Sequence, residues 1–153
     1  MPFTTDSITH TWPIVTLRLD GKVDNKSDFN RYLEEWSEFY VMSSQRNEKF
    51  KLIYDARGIK SRPPLKYLYA QAEFLKTAKE LTETWMDRTA IIVSSPIIKK
   101  MIHFVFNFYT PVRPFRVFLE HEEADMYQWI NSQESGEEVT DTGPITEEEL
   151  EQF

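Results

Sequence analysis

The residues best equipped for chemistry fall in two places. Asp55, Arg57 and Ser61 follow one another where the apolar run FKLIYDA, residues 50–56, gives way to a turn at Gly58. Ser94 and Ser95 stand at the corresponding end of a second apolar run, RTAIIVSS. A carboxylate, a guanidinium and several hydroxyls could together hold a small polar ligand. Open α/β sheets bind ligands outside the carboxyl ends of their strands, which is where both groups would lie. A helix opening at Ser94 or Ser95 would add an N-terminus able to hold an anion. These five residues are the candidate ligand pocket. The structural alternative is that Asp55 hydrogen-bonds within its turn and the serines cap a helix, and the residue types favour it.

Nothing nearby completes a catalytic centre. His10, His103 and His121 are isolated, without metal-ligand spacing, and are expected on the surface or at helix caps. No histidine stands in a recognisable motif with the serines, so hydrolase chemistry is unsupported. The absence of cysteine removes disulfides, thiolate zinc sites and a cysteine nucleophile. The glycines are Gly21, Gly58, Gly136 and Gly143, and they build no phosphate loop. The expectation is a chain without catalytic activity, cofactor or metal.

A different stretch asks for a partner. Ser95 to Phe118, SPIIKKMIHFVFNFYTPVRPFRVF, is the most apolar and aromatic run, and it carries Lys99, Lys100, Arg113 and Arg116 with no acidic residue. Pro96 and Pro111 bracket a helix expected over 96–109. At about 100° per residue, Lys99, Lys100, His103 and Asn107 share a polar arc of about 100°, and apolar residues fill roughly 200°. A helix on one sheet face needs a narrower stripe. Ile97, Met101, Phe104 and Phe108 are the expected core side, leaving Ile102, Phe106 and Tyr109 as surplus. That flank could be covered by neighbouring elements, by a protein partner or second copy, or by an anionic membrane surface that Lys99, Lys100, Arg113 and Arg116 would attract.

The remaining elements must position these residues. Ser7 to Leu19 reads as one or two short strands, followed by the Asp20-Gly21 turn signal. Residues 24–43 form an amphipathic helix capped by Asp24 or Ser27, with Phe29, Leu33, Trp36, Tyr40 and Val41 inward. A strand over 50–56 and a helix over 64–84 come next. The unalternating TAIIV, 89–93, reads as a strand buried on both faces. After the 96–109 helix come a strand, FRVFL, at 115–119 and a last helix over 120–132, with Ala124, Tyr127, Trp129 and Ile130 inward. The alternation predicts an α/β domain over 1–132, with a mixed, mostly parallel sheet of four to five strands and four helices.

Charge divides the chain. The net charge is −7, yet the stretch from Glu134 to the end holds eight acidic residues and no basic one. Residues 1–133 keep 17 acidic against 18 basic residues, so the body is close to neutral. Residues 133–153 read as an acidic, flexible tail. The N-terminal residues carry no signal-peptide pattern and the longest apolar run is broken by Lys99, Lys100, His103 and Asn107, so a cytoplasmic protein, peripheral at a membrane at most, is expected. No feature calls for nucleic acid.

Three segments resemble the STAS domain superfamily, in particular its SpoIIAA-like branch: FKLIYDARGI, an apolar strand ending in an acidic residue and a turn; RTAIIVSS, an arginine leading into a strand that stops before a helix; and RPFRVFLEHEEADMYQWI, a closing strand, acidic residues and a Trp-aliphatic pair. The likeness spans about Ile14 to Ile130. It implies a STAS-like domain used for binding or regulation, and relatives by fold include lipid-carrying modules of the CRAL-TRIO type. The family's phosphorylated Asp-Ser-Gly switch is not carried over, because the equivalent region reads Lys60-Ser61-Arg62-Pro63-Pro64. The functional expectation is a regulatory or interaction domain that self-associates or docks a protein through the 96–109 helix. A peripheral membrane module, or one binding lipid or a small apolar ligand, is the alternative.

Overall fold

The structure, a computed structural model, describes residues 4–7, 13–20, 25–59, 63–108, 114–132 and 148. In chain order the elements are β1 (Thr4–Ser7), β2 (Ile14–Asp20), α1 (Lys26–Ser44), β3 (Phe50–Gly58), α2 (Leu65–Thr77), α3 (Lys79–Trp85), β4 (Met86–Val93), α4 (Pro96–Phe106), β5 (Phe115–Leu119), a 3-10 turn (Glu120–Glu122) and α5 (Glu123–Ile130). The strands form one five-stranded sheet in the order β1-β2-β3-β4-β5. β1 runs antiparallel to β2, and β2 through β5 are parallel neighbours. The α/β class and the mostly parallel sheet are as expected.

This order explains how the helices are distributed. Crossovers between parallel strands share one hand, so a sheet that always grows in the same direction puts its crossover helices on one face. Side chains alternate along each strand and so divide between two cores. Leu17, Leu52, Tyr54, Ile91 and Val93 belong to a large cluster with residues of α1, α2 and α4. Ile53, Ala90, Ile92 and Phe118 turn the other way, against Met126, Trp129 and Ile130 of α5. β4 is therefore buried on both faces, which is why TAIIV lacks alternation.

Several boundaries differ from the sequence expectation. α1 is capped by Asn25, whose side chain accepts from the Asp28 amide at 2.9 Å, not by Asp24 or Ser27. Its buried stripe is Phe29, Tyr32, Trp36, Phe39 and Tyr40, while Leu33 is half-buried and Val41 exposed. The expected 64–84 helix is two helices joined at Ala78. Just before the joint the Thr77 hydroxyl donates back to the Glu73 carbonyl at 3.0 Å, a local bond that bends helices. β3 continues to Gly58 and β4 begins at Met86. The last helix starts as a 3-10 turn whose Glu122 carboxylate accepts from the Leu119 amide at 2.8 Å, and this phases α5 so that Met126 is buried while Ala124 and Tyr127 are exposed.

The large core is aromatic. The Trp36 ring stacks on Tyr54 at 4.9 Å and meets Tyr32 edge-on at 5.4 Å, and Phe29 lies 4.7 Å from Tyr67. The hydroxyls of Tyr32 and Tyr54 hydrogen-bond to each other at 2.9 Å inside this cluster. Burial raises both phenols well above their ordinary range, so each stays neutral and serves as a hydrogen-bonding core residue.

Candidate functional site

Asp55 and Arg57 lie within β3, two residues apart, and so project to the same face of the sheet as Ile53. The pair does not sit in a turn beyond the strand. Asp55 Oδ1 accepts from the Arg57 amide at 3.1 Å and from its Nε at 3.0 Å, and Oδ2 accepts from Nη2 at 2.8 Å. Arg18 of β2 brings its Nε to 3.6 Å from Oδ2. The other arm of the fork, Arg57 Nη1, donates to Glu123 Oε2 of α5 at 2.9 Å. Burial alone would raise the Asp55 carboxyl, but the Arg57 hydrogen bonds and the charges of Arg57 and Arg18 outweigh it and hold the group below its ordinary value. Arg57 is pushed up by the same bond to Asp55.

The outcome is a bidentate clamp that ties α5 to the sheet. A carboxylate whose oxygens are engaged by two arginines and held ionised is a poor general base.

The serines have structural work as well. Ser94 Oγ donates to the Ile59 carbonyl at 3.3 Å, joining the ends of β3 and β4. Ser95 caps α4, its Oγ accepting from the Ile98 amide at 3.4 Å. Ser61 lies outside the described residues. The structure thus brings Asp55 and Arg57 together and gives Ser94 and Ser95 separate duties.

Sequence reasoning missed two neighbours. Glu123 completes the Arg57 clamp from a distant segment. His121, with Glu120 and Leu119, shares a shallow depression with Ser94 and Pro96 at the carboxyl ends of β4 and β5. No Ser94–His121 hydrogen bond occurs among the described residues, and the Ser94 hydroxyl donates to the Ile59 carbonyl instead. Also among the described residues, no group of three or more histidine, aspartate or glutamate side chains could hold a metal ion.

His103 departs from expectation. It is buried on α4, and burial, followed by the positive charge of Lys99, lowers its imidazole below the ordinary 6.5. It belongs to the interior and is neutral at pH 7.

α4 is wrapped further round than one sheet face would achieve. Ile98, Met101, Phe104 and Val105 are buried with His103, and Ile102 and Phe106 are half-buried against the same core. Phe106 is covered by Phe115 of β5, with ring centroids 4.2 Å apart. The exposed apolar residues are instead Ile97 at 43% and Phe108 at 40%, at the two ends of the side expected to be core. The reason is length: the expected helix ran to 109, whereas α4 stops at Phe106 and Asn107 caps it, so Phe108 overhangs. Phe108 rests edge-on against Tyr69 of α2 at 5.0 Å and against Phe104 at 5.3 Å. Lys99 and Lys100 are half-exposed on the same helix. Tyr109 and Arg113 lie outside the described residues. No helix among the described residues is long and apolar enough to cross a membrane.

Comparison of the chain with family models, with curated proteins and with solved structures finds no match in any of the three.

Proposed function

We propose that this chain is a non-catalytic, STAS-like regulatory or interaction domain that self-associates or docks a protein partner through α4 and the adjoining α2 seam. The observation that carries the reading is the pair of exposed apolar side chains, Ile97 and Phe108, bracketing the most apolar helix, with Phe108 on an aromatic cluster. Aromatic anchors set among half-buried apolar neighbours are what protein interfaces use. Lys99 and Lys100 are half-exposed on the same helix, Tyr109 and Arg113 follow it in sequence, and Ile102 and Phe106 lie on its other side, half-buried against the core. The structural duties of Asp55, Arg57, Ser94 and Ser95 support a binding role over catalysis, as does the resemblance to STAS domains.

Light scattering over a range of protein concentration tests the self-association arm. The expected result is a mass above the monomer that Phe108→Glu returns to monomer. A strict monomer at every concentration, with Phe108→Glu changing neither mass nor solubility, overturns it. A peripheral membrane role is the second reading, favoured by the two lysines and the lack of any acidic residue on α4. Flotation with anionic liposomes at low salt tests it, and absence of binding excludes it.

A further inference from the structure

A groove of about 580 Å³ lies on the α5 face of the sheet, between β5 and α5, and its size suits a small molecule. Arg116 and Phe118 line it from β5, and Glu122, Asp125, Gln128 and Trp129 from the turn and α5. Its polar groups are poorly matched to one another. The Arg116 guanidinium lies over the Trp129 ring, 5.5 Å from the centroid, and makes no ion pair with any described carboxylate. Asp125 and Gln128 make no hydrogen bond or ion pair among the described residues. Glu122 uses Oε1 on the Leu119 amide, and no described residue engages its Oε2. Trp129 is 4% exposed, and its buried Nε1–H has no acceptor among the described residues.

A neighbouring arginine shows what a satisfied one looks like here. Arg88 also lies over Trp129, at 5.0 Å, yet it donates to Asp87 at 3.2 Å, to the Trp129 carbonyl at 3.0 Å and to Ser132 Oγ at 3.3 Å. Among the described residues Arg116 has the ring alone. Charges of both signs thus share this groove without pairing among the described residues. A ligand carrying both signs would pair them.

We infer that this groove binds a zwitterionic molecule of amino-acid size. Its carboxylate accepts from Arg116. Its ammonium group donates to Asp125 and Glu122. An apolar side chain lies against the wall made by Phe118 and Trp129, whose rings are 6.1 Å apart. The inference does not depend on α4 docking a partner, since the two surfaces share no residue.

The test follows the Trp129 indole N–H by NMR in the full chain during titration with three probes: L-leucine, its des-amino analogue 4-methylpentanoate, and its decarboxylated analogue isoamylamine. The expected result is a saturable shift with L-leucine and binding at least about tenfold weaker for each analogue, because each lacks one charge-assisted contact. Arg116→Gln should remove the advantage of L-leucine over isoamylamine, and Asp125→Asn its advantage over 4-methylpentanoate. Asp125 is exposed, so its variant folds even if Arg116→Gln does not. No saturable shift with L-leucine, or equal binding of all three probes, overturns the inference.

Discussion

The two faces of the sheet are held by different physics. On one, α1, α2 and α4 bring a continuous aromatic cluster in which Trp36 alone touches Tyr32, Tyr40, Tyr54 and Phe74. On the other, α5 seats three buried side chains, Met126, Trp129 and Ile130, on a small patch of β3, β4 and β5. Its remaining hold is directional: the Arg57–Glu123 pair at one end and Arg88 on the Trp129 carbonyl at the other. Burial of area is insensitive to small displacements, whereas a few directional bonds are lost together once geometry slips. The first face is the cooperative core, and α5 is the element expected to leave first.

Substitutions can break that contrast. Trp36→Ala should have the largest effect, about 3–5 kcal/mol by denaturant melting, because it opens a cavity in the aromatic cluster. Its cost should appear at every protected amide. Asp55→Asn comes next. It leaves Arg57 and Arg18 without their carboxylate, but their side chains are 29% and 47% exposed, so water can solvate them. About 1–3 kcal/mol is expected, below the ~3–5 of a fully buried pair. Glu123→Gln should be smaller, ~0.2–1 kcal/mol, because that carboxylate is 44% exposed, and its effect should be confined to α5 amides. A global loss from Glu123→Gln would show that α5 belongs to the cooperative core after all.

Acidification should separate the faces again. His103 resists protonation in the fold, so below its ordinary 6.5 the unfolded chain takes up a proton that the folded chain does not, and stability falls as pH drops below that value. Asp55, held below its ordinary 3.8, adds stability that persists above that value and is lost as pH falls through the depressed one. Urea melts across pH should therefore show two steps. His103→Gln should remove the upper step, and Asp55→Asn the lower.

What the sequence revealed was local. The β4 run TAIIV could be read as doubly buried, and Asp55 with Arg57 could be singled out, because each signal lies within a few consecutive residues. Partners from distant segments could not be read: Glu123 reaches Arg57 only once α5 folds back across the sheet, and nothing in EHEEADM marks that glutamate among its acidic neighbours. Phasing failed at α5 because a 3-10 turn precedes it and rotates the face by a residue. The wheel of α4 failed differently. It treats every position as equally enclosed along the axis, while the structure leaves the ends, Ile97 and Phe108, uncovered and lays Phe115 over Phe106.

The central claim is that α4 presents a docking surface, and amide hydrogen exchange measured at low and high protein concentration tests it most directly. The prediction is that amides of residues 96–108 and of the α2 segment around Tyr69 become more protected as concentration rises, while α5 amides do not, and that Phe108→Glu removes the dependence. Protection in α4 that is the same at every concentration and unaltered by Phe108→Glu would contradict self-association through this helix.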